Sequence, residues 1–277
     1  MIEQQYLHRS CIALLILSVV FAILSTFDIR YQFYFWELFI DIKIVVVIGV
    51  LFGAWKKRWL VFSPEQFILL RFDWKTNVTI FFLPLLVYSL PIACGLTTKV
   101  LTINAIDNAA TLALATLFDV PAIYMFSATS ALIEEIVFRG VLLRSFRNKF
   151  SVQYALFLTN GLWTIFCISE VVGITKVTAL SAFVTGLFFF SLGLFCSVLT
   201  IKNNSVWPGY SLRIGIITLT PILLTSFLAE SDSFFTTNSI VLVAEGILVS
   251  TAFLAASFVL LRQINVSEQI LGKRDFS

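Results

Sequence analysis

The chain has 277 residues, of which 59% are hydrophobic and 13% are charged. Soluble domains average roughly 45–50% apolar and about 25% charged residues, so this composition excludes an ordinary soluble domain. The net charge of +3 is small and says little by itself. The apolar residues form long uncharged runs, and we therefore predict an all-α membrane protein, a polytopic bundle of about eight transmembrane helices.

The predicted spans form a single integral membrane domain over residues 1–277. Crossing a membrane takes about 20 apolar residues. Two of the predicted spans carry charges inside them, Glu134, Glu135 and Arg139 in 118–146 and Arg213 in 207–228. The runs nearly free of charge are 11–27, 44–55, 78–96, 151–168, 177–201 and 239–261.

Three segments between or beyond the spans have distinct compositions. Residues 56–77 begin a helix-like pattern at Ser63 and Pro64 and carry Trp59 and Trp74, which predicts a cytoplasmic interfacial segment. Residues 97–108 are polar enough for an exterior loop. Residues 265–277 are predicted to be a short cytoplasmic tail.

The basic residues are divided unequally between the two sides of the predicted membrane. With eight spans, 13 of the 19 Lys and Arg residues lie on the side of the termini and three on the other. Cytoplasmic loops carry an excess of Lys and Arg. We therefore expect both termini in the cytoplasm.

Carboxylates at the entry of the second span allow two interpretations. Glu37 and Asp41 are four residues apart, as neighbours on a helix face would be, with Lys43 close behind. They are interfacial charges or part of a proton or cation path. Glu245, in the last span, has no evident partner in the sequence.

The densest intramembrane charge cluster lies in the fourth span. On a helix, Glu135 and Arg139 are partners at i and i+4, whereas Glu134 points about 100° away and is free to face a cavity. Two carboxylates in different environments can divide structural and chemical roles. The alternative is a helix end whose Glu and Arg side chains reach the cytoplasmic interface.

The sequence of this cluster resembles a motif of a known family. Residues 134–140 read Glu-Glu-Ile-Val-Phe-Arg-Gly, similar to the Glu-Glu-x-x-x-Arg motif of the CAAX-protease and bacteriocin-processing family of intramembrane glutamic-type proteases. Residues 205–208, Ser-Val-Trp-Pro, are similar to a later stretch of that family. The resemblance covers about 118–217. It implies an eight-helix membrane fold, the bacterial plasma membrane, and Glu134, Glu135 and Arg139 as the catalytic motif.

The chain departs from the family pattern at four positions. In the family, histidines of two later helices bind the water that the first motif glutamate activates. Here Thr164 and Arg213 stand at the histidine positions, Asn160 replaces the aromatic residue and Ile217 the asparagine. His8, before the first span, is the only histidine. We expect a degenerate member with no metal and no cofactor.

Three functions stay open at this point. Arg213 beside Glu134 would hold the carboxylate ionised and make it a poorer proton acceptor, which favours binding of membrane-proximal or lipidated peptides, or of a protein partner, with little or no peptidase activity. An active intramembrane endopeptidase, CAAX-type or leader-peptide processing, that uses Glu134 is the alternative. A small transporter is the second alternative. Membrane lipid is an expected partner and nucleic acid is not.

The predicted topology can be tested with reporter fusions. A reporter after Ser277 should be cytoplasmic and one at Thr98 exterior, because the unequal distribution of Lys and Arg sets the orientation. An exterior reporter at Ser277 would contradict the eight-span topology.

Overall fold

The computed structural model describes residues 32–35, 38–41, 72–97, 101–103, 121–148, 150–174, 179–225, 227–229 and 246–272. The predicted first span, most of the second, residues 56–71, Glu37 and Glu245 lie outside these ranges. Within them the protein is a helical bundle, which confirms the predicted helical membrane fold.

Seven α-helices, one π-helical segment and four short strands make up the described part of the chain. The helices are α1 (Trp74–Thr97), α2 (Pro121–Glu134), α3 (Leu143–Arg147), α4 (Val152–Ile174), α5 (Ala179–Asn203), α6 (Trp207–Thr225) and α7 (Ile247–Gly272). The π-helical segment, Glu135–Leu142, joins α2 to α3. The strands are β1 (Gln32–Phe35), β2 (Leu38–Asp41), β3 (Leu101–Ile103) and β4 (Phe227–Ala229), paired antiparallel as β1 with β2 and β3 with β4.

Three of the described helices are long and apolar enough to cross a membrane. They contain the candidate spans Trp74–Ala93, Ala182–Asn203 and Ile247–Ile264, and a shorter apolar helix covers Val152–Ile168. The protein is therefore an integral membrane protein. The count of eight spans stays a prediction.

Helix α1 begins with a side-chain cap. Thr76 donates a hydrogen bond through its hydroxyl to the Asp73 carboxylate, and the Asn77 amide donates to the Asp73 carbonyl at 3.0 Å. The hydrogen bond from Thr76 is the main reason that the pKa of Asp73 lies below its ordinary value.

Pro84 and Pro91 lie inside this helix, which is tolerated where neighbouring helices cover the backbone.

Helices α1 and α6 run parallel and in close contact. The rings of Phe72 and Trp207 are 5.3 Å apart, and one turn further on Ser211 donates a hydrogen bond to Asn77 at 3.0 Å. A side chain at Gly215 would collide with the carbonyl oxygen of Phe81. The close crossing thus depends on the missing side chain, as at many helix contacts in membranes.

Helix α5 forms the centre of the bundle, with an unbroken buried stretch from Ser191 to Thr200. It runs antiparallel to α4, where Ser197 donates to the Asn160 side-chain oxygen at 3.0 Å. It runs parallel to α7, where Phe195 and Phe253 pack with their ring centroids 5.5 Å apart. Helices α4 and α6 and the π-helical segment also contact it.

The two ends of the bundle differ in charge. We call the end where α1 and α6 begin and α5 finishes the basal end. Five basic residues lie there: Lys75, Arg144, Arg147, Lys202 and Arg262. Among the described residues, the opposite end carries no Lys or Arg. Five of the 13 basic residues that the sequence places on the side of the termini therefore lie at one end of the described bundle, and the orientation of that end in the membrane stays a prediction.

Several segments have a different local conformation from the one expected. Asp41 lies in strand β2 rather than on a helix face, because its segment pairs with β1. The segment 97–108 contains β3, which pairs with β4, and α6 accordingly ends at Thr225. Residues 74–77, placed in the interfacial segment, begin α1.

The predicted C-terminal tail is also partly helical. Helix α7 starts at Ile247 and continues to Gly272, so residues 265–272 belong to it. Val266, Ile270 and Leu271 extend the apolar pattern of the helix, and a glycine is a frequent helix terminator.

The contact between α1 and α6 gives the first prediction from the structure. Gly215→Val should destabilise the protein by roughly 1–3 kcal/mol or more, since the new side chain meets backbone that cannot rotate away. The measurement is the melting temperature in detergent.

Gly161→Ala is the matched control for Gly215→Val. A Cβ at Gly161 meets nothing within 4 Å, so only the gain in helix propensity, about 1 kcal/mol, is expected. If Gly215→Val melted like wild type, the close packing of α1 on α6 would be refuted.

Candidate functional site

The site forms where four helical elements meet. Glu134 ends α2, Glu135 and Arg139 lie in the π-helical segment, Trp163 comes from α4 and Arg213 from α6. Trp163 and Arg213 are far in sequence from the motif, and each lies on the face of its helix that points into the bundle.

The two carboxylates and Arg213 are joined by ion pairs. Arg213 Nη2 lies 3.0 Å from Glu134 Oε2, and its Nη1 lies 3.6 Å from Glu135 Oε1. The same Nη1 donates a hydrogen bond to the Ala131 carbonyl at 3.2 Å. Arg213 thus ties α6 to the junction of α2 and the π-helical segment.

The carboxylate of Glu134 is held on both oxygens. Oε2 accepts a hydrogen bond from Trp163 Nε1 at 2.8 Å in addition to the ion pair with Arg213, and Oε1 accepts from the Ser130 hydroxyl at 3.2 Å. The side chains of Glu134 and Arg213 keep a small exposed edge, 10% and 13%. All these partners stabilise the ionised carboxylate.

Glu135 and Arg139 form a fully buried pair. Arg139 Nη1 lies 3.2 Å from Glu135 Oε1, with both side chains at 0% exposure. The predicted i,i+4 contact is present, which removes the alternative of a snorkelling helix end. A side chain at Gly209 would come within 2.6 Å of Glu135 Oε2, so the glycine leaves room for this carboxylate beside the first turn of α6.

The local conformation differs from the regular α-helix expected for the motif. The Leu143 amide donates to the Phe138 carbonyl, five residues earlier, as in a π-helix. π-Helical turns are rare and are found frequently at functional sites. Glu135 and Arg139 therefore lie in a π-helical segment and not in the regular α-helix that the sequence suggested.

Trp163 is the site residue that the sequence interpretation missed. The centroid of its ring lies 4.2 Å from Arg139 Cζ and 5.2 Å from Arg213 Cζ, so both guanidinium groups contact the ring. A side chain at Gly193 would come within 2.6 Å of the ring, so that glycine provides its space. A lone tryptophan in an apolar span was the only available signal, and such residues are common.

The four residues at which the chain departs from the family pattern have different surroundings in the structure. Arg213 joins the carboxylates, whereas Asn160 is buried and bonds within the bundle, donating to the Leu156 carbonyl at 2.7 Å. Thr164 lies one residue past Trp163 and approaches Gly186 of α5, and its hydroxyl has no hydrogen-bond partner among the described residues. Ile217 is partly buried on α6.

The possibility of a metal centre can be examined only in the described part of the chain. There, no three His, Cys, Asp or Glu side chains come together as a metal would require. Besides the carboxylates, the described site offers guanidinium groups, an indole N–H and hydroxyls. Its chemistry is that of charge pairing and hydrogen bonding.

Comparison with known proteins identifies one family. Residues 116–217 match the family model described as type II CAAX prenyl endopeptidase Rce1-like. The match includes every residue of the site, and it confirms the family resemblance seen in the sequence. No curated protein and no solved structure matches the chain.

The buried pair gives a stability prediction. Arg139→Ala leaves Glu135 at full burial with only the more distant Arg213, at 3.6 Å, and should cost on the order of 3–5 kcal/mol. The melting temperature in detergent should fall accordingly. Lys75→Ala, which removes an exposed cation, is the control and should be almost silent. Equal melting of the two variants would disprove a structural role for the Arg139–Glu135 pair.

Proposed function

We propose that this membrane protein, whose residues 116–217 match the family model described as type II CAAX prenyl endopeptidase Rce1-like, binds membrane-proximal or lipidated peptides at the Glu134–Arg213 pair. Its ordinary peptidase activity is low or absent. The family match supports the peptide ligand, and the ion pair supports the loss of activity.

The 3.0 Å pair between Glu134 and Arg213 carries the proposal. A general base must accept a proton from the attacking water in the transition state. Protonating Glu134 would leave the guanidinium with only the more distant Glu135 carboxylate, at 3.6 Å, which is costly in a poorly hydrated site. The resemblance implies a neutral histidine at the position of Arg213, and a histidine could orient a water without neutralising the glutamate.

The second argument concerns the remaining positions. Glu134 Oε2 already accepts from Trp163 and Arg213, so a water would have to compete with two bound donors. Thr164 stands where the resemblance implies the other histidine, and an aliphatic hydroxyl is a poor general acid or base near neutral pH. Neither Thr164 nor Arg213 can therefore relay a proton to a leaving amine.

The same arrangement suits peptide binding. The exposed edge presents a guanidinium donor beside a carboxylate acceptor, which complements the C=O and N–H groups of an extended peptide. Arg213 lies six residues into α6, roughly 9 Å from its start at 1.5 Å per residue. A ligand entering from the basal end would cross only the first turns of the bundle.

An active endopeptidase that uses Glu134 is the second candidate. The observation in its favour is that Glu134, Glu135 and Arg139 retain the whole first motif and that Glu134 keeps 10% of its side chain exposed. A substrate that displaced Arg213 would release the carboxylate. The two candidates differ in whether wild-type protein cleaves a peptide in a Glu134-dependent way.

Binding and cleavage can be measured on the same protein in proteoliposomes with a fluorescent farnesylated CAAX peptide. Wild type should bind the peptide without cleaving it above background. Arg213→Ala removes a charge-assisted hydrogen bond worth about 1.5–3 kcal/mol and should weaken binding by roughly 10- to 100-fold. Lys75→Ala should bind like wild type.

The double variant Arg213→His/Thr164→His tests the cause of the inactivity. It removes the competing charge and supplies two imidazoles near Glu134, so slow cleavage should appear, and adding Glu134→Gln should abolish it. Cleavage by wild type that disappears in Glu134→Gln would establish the endopeptidase instead. Absence of peptide binding by folded wild type would refute the binding function.

A further inference from the structure

Four basic side chains form a row along the basal end of the bundle, which we call the basic rim: Arg144, Arg147, Lys202 and Arg262. Two of them are oriented by neutral amides. Arg144 Nη2 donates to the side-chain oxygen of Asn204 at 2.8 Å, and Lys202 Nζ donates to that of Gln263 at 3.3 Å.

Hydrogen bonds to neighbouring amides connect three members of the row, which come from α3, α5 and α7. Asn204, which accepts the hydrogen bond from Arg144, is two residues past Lys202. Gln263, which accepts the hydrogen bond from Lys202, is next to Arg262. Asn204 has a φ of 45°, a left-handed conformation that few residues other than glycine adopt. The turn between α5 and α6 therefore holds the amide in the position that orients Arg144.

Part of the charge of the basic rim has no ion-pair partner among the described residues. Arg147 and Arg262 make no ion pair with any described residue, and Lys202 is bonded to an uncharged group. Among the described residues, Asp73 and Glu268 are the acidic residues toward this end. The rim is a face of positive charge.

Aromatic side chains lie at the same end. Phe72, Trp74, Trp207 and Tyr210 form a chain of ring contacts at the starts of α1 and α6. Phe72 and Trp74 are 49% and 69% exposed. Exposed aromatic rings at the ends of membrane-crossing helices are typical of the headgroup layer.

We propose that the basic rim binds the headgroups of anionic phospholipids in one leaflet of the membrane. Helices α1, α5 and α7 contain the candidate spans, so the rim at their basal ends lies at the depth of the lipid phosphates. Anionic lipid attracts Lys and Arg at this depth, each contributing about fivefold in affinity. An acidic soluble peptide would match the charge but would give the exposed aromatic side chains no apolar layer to enter.

The experiment is a lipid competition on the purified full chain. The protein in detergent receives phosphatidylglycerol and phosphatidylcholine in equal amounts, and native mass spectrometry counts the bound lipids. Wild type should retain phosphatidylglycerol preferentially, and the preference should shrink between 0.1 and 1 M salt because exposed charges are screened.

Three variants assign the preference to the basic rim. Arg147→Gln/Arg262→Gln removes two charges and should reduce the preference by roughly tenfold or more. Arg147→Lys/Arg262→Lys keeps both charges and should retain most of it. Gln263→Glu places a carboxylate beside Lys202, leaves every basic residue in place and should weaken the preference.

The outcomes separate lipid binding from its alternatives and do not depend on the peptide-binding proposal. Equal retention of both lipids by wild type would overturn the inference, and so would an unchanged preference in the double Gln variant. Displacement of phosphatidylglycerol by an equal concentration of inorganic phosphate or of an acidic soluble peptide would also overturn it. Unchanged melting of the variants in phosphatidylcholine confirms that they are folded.

Discussion

Arg213 places a permanent positive charge inside a helical membrane bundle, and the surrounding structure compensates it. A guanidinium at membrane depth is costly unless it is paired. Here one nitrogen contacts Glu134 and the other contacts Glu135 and the Ala131 carbonyl. Helix α6 is thereby fixed against the end of α2, and the same guanidinium contacts both carboxylates of the motif.

Trp163 completes this arrangement in a way that charge alone could not. Its indole N–H binds Glu134 while its ring faces both guanidinium groups, so one side chain stabilises the anion and the two cations. Gly193 and Gly209 provide the space, one beside the ring and the other beside Glu135. The network is dense because two positions that would otherwise carry side chains are empty.

The two ends of the bundle differ in the residues that they carry. The basal end carries the basic rim and the aromatic residues, and Arg213 lies two turns into the helix that begins there. The proposed peptide site and the proposed lipid surface therefore open toward the same face. A lipidated peptide, whose anchor lies in the membrane and whose chain leaves it, would meet both in sequence.

The sequence by itself determined the class of the protein, the positions of most of the described long helices and the three residues of the first motif, Glu134, Glu135 and Arg139. Long uncharged apolar runs are typical of membrane spans. Glu135 and Arg139 are four residues apart and so are neighbours on a helix. The spans and this pair therefore follow from the local sequence pattern. The short strands, the extension of α7 to Gly272 and the π-helical turn did not, because pairing between distant segments and backbone hydrogen bonding override local preference.

The tertiary structure decided which side chains share the site. Arg213 was expected beside the carboxylates only through the family resemblance, since 78 residues separate it from Glu135. Trp163 and the glycines at 193 and 209 carry no local signal, because their roles depend on the distance between packed helices. A sequence records which groups are present along each helix; only the packing of α2, α4 and α6 against one another fixes which of those groups meet.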